Sequence, residues 1–184
     1  PSAGSDAAGI KTTATLAPDG SHYILNGSKI WITNGGFADV FTVFARTSEA
    51  EAGKPRITAF IVERGMGVRT GPEEHKLGIR GSSTVTVTFD GATVPRSMIL
   101  GEAGRGIDQA HAALSWGRTL MAAGCVGISR AALGLALSHV TSRQQFNRPI
   151  GEFTASRAHV ARMASRLYAS ETLVRWVGHA LAAG

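Results

Sequence analysis

The 184 residues are 43% hydrophobic and 17% charged, a balance that excludes a disordered or fibrous chain and allows one ordinary domain or two small ones. The net charge of +6 is uneven: residues 1–102 hold ten Lys/Arg against ten Asp/Glu, and residues 103–184 hold nine Arg, no Lys and three acids. A phosphate-rich ligand would use arginine's planar fork, acidic partners in a longer chain or another subunit would serve equally, and nucleic acid is the weakest reading because no aromatics or basic arm accompany the arginines.

Up to about residue 100 the signals are those of short strands. "KTTATL" and "HYILNGSKIWIT" are separated by Pro18, Asp19 and Gly20, and Asn26-Gly27 is the dipeptide best suited to a two-residue hairpin turn. "DVFTVFAR", "RITAFIVER" and "STVTVTFD" follow, rich in β-branched and aromatic residues and bounded by turn-forming stretches. Six or so antiparallel strands of this kind predict a small barrel or sandwich. Alternation puts Trp31 and Thr33 on one face of their strand and turns Ile30 and Ile32 to the core.

After "ILGEAGRG" the period changes. Ile107, Ala110, Leu114, Met121, Cys125, Ile128, Ala132 and Leu135 recur at spacings of three and four, with a gap at Arg118, and predict one helix of roughly 35 residues. Trp116, Leu120, Leu133, Leu137 and Val140 lie off that stripe, as on a helix covered from several sides. "NRPIGEF" breaks the pattern, and a second helix runs to the end with Val160, Met163, Leu167, Val174, Val177 and Leu181 on one stripe. Two helices cannot cover the first, so the chain is expected to continue at both ends. The fold class is therefore α+β, an antiparallel β-domain over 1–102 and long antiparallel helices of an incomplete bundle over 103–184.

No unbroken apolar stretch of about 20 residues is present, and a membrane span is not expected. The opening "PSAGSDAAGIKTTAT" lacks the charged start and apolar core of a secretory signal. The single cysteine, Cys125, can form no internal disulfide and is expected to be buried as a small apolar residue. A cytoplasmic location is expected.

Taken together, "PSAGSD", "YILNGSKIWITNGG", "KLGIRGSSTVTVTFDGATVP", "ILGEAGRGID" and "GRTLMAAGCVGISRAALGLALSHVTSRQQFNRPIGEF" resemble the acyl-CoA dehydrogenase family of flavoproteins in order and spacing. The resemblance implies the family's middle β-domain and the first part of its C-terminal helical domain, with FAD as cofactor. It implies that Trp31, Ile32 and Thr33 contact the flavin, that Gly4 and Ser5 touch FAD, and that Ser5 lies near the substrate's thioester arm. Physically, an indole plate can lie against a flavin ring and a hydroxyl can donate to it.

By the same resemblance Arg118 faces the CoA end of the substrate, although an acid common three residues earlier in the family is Ser115 here. Arg143, Gln145 and Phe146 match a segment that reaches the FAD of a partner subunit in a homodimer or homotetramer. Thr154 stands where the family usually has glutamine and is expected only to cap a helix.

The implied reaction is α,β-dehydrogenation of an acyl-CoA, with electrons passing to an electron-transfer flavoprotein or similar acceptor. The base is a glutamate expected beyond Gly184; a minority position is Gly117 here, Asp108 is about 15 Å from Arg118 along the helix, and Glu171 is the remaining residue to examine. A carrier-protein-tethered acyl dehydrogenase or oxidase of the same fold, and a non-catalytic flavin or nucleotide-binding module, are the alternatives. No metal site and no nucleic-acid or membrane partner are expected.

Overall fold

The computed structural model describes residues 2–4, 6–47 and 56–183. The chain divides into two compact units, Pro1–His111 and Ala112–Gly184. In the first, β1 (Thr13–Leu16), β2 (His22–Thr33), β3 (Val40–Thr47), β4 (Arg56–Glu63), β5 (Val68–Glu73) and β6 (Thr84–Pro95) form one sheet in the order β4-β3-β1-β2-β6-β5. All pairings are antiparallel except β1 with β3, which is parallel, so the wholly antiparallel expectation is corrected. The sheet is open; its outer strands β4 and β5 are not paired to each other, and no closed barrel is found.

The turn expected at Asn26-Gly27 does not form. β2 runs straight through it as a twelve-residue strand, and the hairpin turn lies upstream, where Gly20 N–H donates to Ala17 O at 2.9 Å and Asp19 accepts from the Ser21 amide. Asn-Gly instead marks a bulge. Leu25 faces Ala92 and Asn26 faces Asp90, leaving Gly91 unpaired on β6 with φ +67, and Asn26 Oδ1 accepts from the Gly91 amide at 2.8 Å. Asparagine thus supplies the acceptor that the bulged ladder lacks.

Tyr23, Leu25, Val43, Ala45, Phe60, Val62, Val85, Val87 and Val94 alternate inward and form the core. Pro72 falls on β5 at the sheet edge, where its missing N–H costs no ladder bond.

α1 (Gly106–Ser142) begins in the first unit and continues into the second. It contains no proline over 37 residues and ends where the Thr141 and Ser142 hydroxyls turn back onto the carbonyls of Leu137, Ser138 and His139. A hairpin of β7 (Gln144–Gln145) and β8 (Arg148–Pro149) follows, then α2 (Thr154–Ala182). Phe153, not Thr154, is the α2 N-cap, and no side chain bonds there, so the expected threonine cap is absent.

Leu114, Trp116, Leu120, Met121, Ile128 and Leu135 are all exposed on α1, in keeping with a helix that needs more cover than one neighbour gives. Cys125 is exposed as well, against expectation, because no described element packs over its face. By length and composition α1 is apolar enough to cross a membrane. Arg130, the one charged residue in 119–142, interrupts the apolar run, so this character does not show as an unbroken stretch.

Candidate functional site

The end of β2 carries the most distinctive backbone of the first unit. Between Lys29, opposite Val87, and Ile32, opposite Val85, β2 has one residue more than β6. The extra residue is absorbed at Trp31, whose φ is +61. A left-handed backbone is uncommon for a bulky residue and costs on the order of 1–3 kcal/mol, so something around it must hold it.

The β6 pairings of Lys29 and Ile32 on either side of it do so. Ile32 packs against the core, while the Trp31 ring is 62% exposed and Thr33 is exposed beside it. The expected division of β2 therefore holds for Ile32, Trp31 and Thr33, but a bulge produces it rather than plain alternation. Ile30 is half-buried and lines a cavity instead.

The backbone beyond Thr33 is fixed from across the sheet. Asn34 N–H donates to Ser83 O at 2.9 Å, and Gly36 N–H donates to Ser83 Oγ at 3.0 Å. Ser83 Oγ in turn donates to Glu73 Oε1 at 2.7 Å, and Thr84 N–H donates to Glu73 Oε2 at 2.8 Å. The Ser83 hydroxyl, then the Thr84 amide, lower the Glu73 carboxyl below the usual range. Lys76 Nζ completes the clasp on Thr84 Oγ1 at 2.9 Å. The Thr33 hydroxyl itself has no hydrogen-bond partner among the described residues. Nothing in the sequence pattern distinguished Glu73 and Ser83 from ordinary turn residues, because their link joins positions ten apart across a sheet edge.

A cavity of about 610 Å3 lies along β2 and β3, lined among others by Gly4, Lys29, Ile30, Ile32 and Phe44. Gly4 and Ile32 are thus brought together; Trp31 and Thr33 lie outside that lining. Ser5 lies outside the described residues. Lys29 points its stem through this apolar wall and donates from Nζ to Phe44 O at 2.7 Å. Burial pushes its ammonium down to about 8.

In the second unit, Arg118 is exposed midway along α1 with no ion pair among the described residues. Arg143 follows 25 residues later, roughly 37 Å on at 1.5 Å per residue, so the helix does not bring them together. Arg143 O accepts from Ile150 N–H at 2.8 Å and closes the β7–β8 hairpin. At its tip Phe146 and Asn147 have φ +52 and +59, the double left-handed turn that suits a two-residue hairpin loop. The Gln145 side-chain amide donates to the Gln144 carbonyl at 2.8 Å, and Phe146 is 87% exposed.

Glu171 on α2 accepts from Arg130 at 2.8 Å and from Arg175 at 2.6 Å. Arg130 first, then Arg175, hold its carboxyl below the usual range. A carboxylate so engaged is a poor proton acceptor, which removes Glu171 as a candidate base. Asp108 is likewise taken, by Arg105 at 2.7 Å. Among the described residues no group of histidines, cysteines and carboxylates could hold a metal ion.

Residues 1–92 match the middle domain of acyl-CoA dehydrogenases, and residues 104–184 match their C-terminal domain. The chain belongs to the acyl-CoA dehydrogenase family. It is 46% identical over 182 residues to the very long-chain specific acyl-CoA dehydrogenase of Homo sapiens, covering 96% of this chain and 28% of that one. It is 47% identical over 180 residues to a probable acyl-CoA dehydrogenase of Bacillus subtilis (strain 168), covering 97% of this chain and 30% of that one.

Among solved structures, an acyl-CoA dehydrogenase from Bacillus anthracis complexed with FAD superposes with a TM-score of 0.82 at 44% identity, over 97% of this chain and 31% of that chain. This member of the family thus spans about a third of the relatives it matches.

Proposed function

We propose that the chain forms the FAD-binding part of an acyl-CoA dehydrogenase, in which an acyl-CoA is oxidised between its α and β carbons. The observation that carries this reading is the β2 bulge, which holds an exposed indole and an unengaged hydroxyl two residues apart in a family whose relative from Bacillus anthracis is complexed with FAD. These residues fit the group: a flat apolar plate is presented without being needed by the core, and a donor beside it is free to aim at a ring nitrogen. FAD, when bound, supplies the acceptor for the β hydrogen.

The chain's own residues bind and orient. Trp31 offers its face to the ring system, Ile32 anchors the strand, and Thr33 donates a hydrogen bond that strengthens as negative charge develops on the acceptor. Gly4, in the N-terminal turn, leaves open space at its Cα and lets a phosphate approach the backbone. Ser5 is assigned to the same phosphate and to the thioester arm, and Arg118 to the CoA end, where its fork suits an anionic oxygen. No residue of this chain is assigned as the base.

Arg143, Gln145 and Phe146, on an outward-pointing hairpin, are proposed to meet the FAD of a second copy in a homodimer or homotetramer. The exposed apolar faces of α1 are read as packing surface for further helices of the whole protein. An electron-transfer flavoprotein or similar acceptor would take the electrons. A division at 102/103 separates the flavin- and substrate-binding β-domain from the first part of the helical domain. The curl that brings β2 onto β4 supports a barrel-like or sandwich-like completion of the sheet.

The test uses the full-length protein with FAD, an acyl-CoA series and an artificial electron acceptor. Thr33→Val is expected to leave FAD content unchanged and slow flavin reduction by about a hundredfold or more, the range for losing one such donor. Trp31→Ala is expected to loosen FAD. Unchanged reduction rates and flavin spectra in both variants would refute the reading.

A further inference from the structure

The tip of the β7–β8 hairpin is strained and yet ordered from below. Phe146 is an aromatic residue with a left-handed backbone and an almost fully exposed ring. Glycine would relieve the backbone, and packing cannot explain the ring, so the residue is kept in a conformation its own chemistry disfavours. Only one side of the ring is supported. The half-buried Phe153 meets it edge to face, with centroids 6.1 Å apart and planes at 76°.

Phe153 is held in turn. The Arg148 guanidinium lies 4.2 Å from its ring centroid, close enough for a cation to be attracted by the ring face. Arg148 sits opposite Gln145 in the hairpin register, so its backbone is tied to the strand whose tip it supports. The three side chains form a stack that starts on β8, passes through the α2 N-cap and ends at the exposed ring.

We infer that Arg148 and Phe153 are positioning residues that fix the Phe146 ring, and with it the hairpin tip, in the orientation that meets the FAD of a neighbouring subunit. The inference rests on the reading of that hairpin given above. Its physical content is preorganisation: an exposed ring on a two-residue turn would otherwise sample several rotamers, and binding would have to restrict them. Arg148 also places a positive charge beside the tip, which would favour an anionic cofactor there.

The experiment uses the full-length protein and measures three quantities: the FAD dissociation constant by flavin fluorescence, the visible absorption band of bound flavin, and the melting temperature at saturating FAD. Phe146→Ala tests the underlying reading and is expected to weaken FAD and shift the band. Phe153→Leu and Arg148→Met are expected to weaken FAD by about three- to tenfold, the range for losing one aromatic or cation–ring contact. They should shift the band in the same direction as Phe146→Ala and add nothing when combined with it. Phe153→Trp, which keeps a ring, should restore most of the affinity.

If Phe146→Ala weakens FAD while Arg148→Met and Phe153→Leu leave affinity and band unchanged, the stack is not a positioning device and the inference falls, with the hairpin reading intact. If Phe146→Ala itself changes nothing, the hairpin reading falls and the inference with it. Should Phe153→Leu fail to fold, the exposed Arg148→Met carries the test alone.

Discussion

Tyr23 on β2 and Phe60 on β4 meet edge to face, ring centroids 5.1 Å apart, although β1 and β3 lie between their strands in the sheet. Three inter-strand steps of about 4.8 Å would separate them by roughly 14 Å in a flat sheet. The contact therefore requires the sheet to curl over its own inner face. That curl encloses the core.

Phe60 is fully buried in that closure. Phe60→Ala is expected to destabilise the β-unit by about 3–5 kcal/mol, the usual cost of removing a buried phenyl ring. Chemical denaturation of the full-length protein monitored at the β-unit checks this, and a loss under about 1 kcal/mol would mean that the curl does not depend on the ring pair.

Two glycines of the β2–β6 ladder should respond differently to alanine. Gly27 has φ +132, and an added Cβ would lie 2.9 Å from Thr12 Cα, a backbone atom that cannot step aside. Gly91 has φ +67 and open space around it. Gly27→Ala is expected to cost about 2–3 kcal/mol from strain and clash, and Gly91→Ala about 1 kcal/mol from backbone strain alone. Equal melting temperatures for the two variants would contradict the close approach of β1's leading edge to β2.

Lys29 gives the β-unit a pH dependence of definite sign. Its folded value, about 8, lies below the ordinary 10.5 because burial disfavours the ammonium. Between those values the unfolded chain holds a proton there that the folded chain has released, so stability rises with pH across the window; below it the cost of the buried charge is fully present. Melts of wild type at pH 7.5 and pH 10 should show this rise, and Lys29→Met should lack it. A variant with the same pH slope as wild type would move the titration to another group.

Arg118→Met tests the assignment of the one cation that interrupts the α1 stripe. Methionine suits the helix and the neighbouring apolar positions, so melting temperature and FAD content should stay at wild-type values. Affinity for a long acyl-CoA is expected to fall by about tenfold or more if the guanidinium bonds an anionic oxygen there. Equal affinity would return Arg118 to the role of a solvated helix residue.

The sequence by itself determined the longer strands and both helices, because hydrophobic period is a local property: alternation over residues 40–47 and 56–63 and three-four spacing over 107–135 each reflect a backbone that repeats every few residues. β5, interrupted by Gly71 and Pro72, and the two-residue strands β7 and β8 are too short or too irregular to show a period. It also carried the family motifs, and with them Trp31 and Thr33 as a pair. What only the tertiary structure decided depends on which strand lies beside which. Asn26-Gly27 has the chemistry of a hairpin turn, but with β6 alongside β2 the asparagine side chain is worth more as the acceptor for Gly91, and the strand runs on. Trp31 stands outward because a three-residue step on β2 is matched to a two-residue step on β6, a mismatch invisible until the register is known. Glu73, Ser83 and Asn34 form one clasp only across a sheet edge, and Glu171 is disqualified as a base only because the hairpin returns α2 to place it against Arg130. Local propensity fixes the elements; the competition of each polar group for partners distant in sequence fixes what they do.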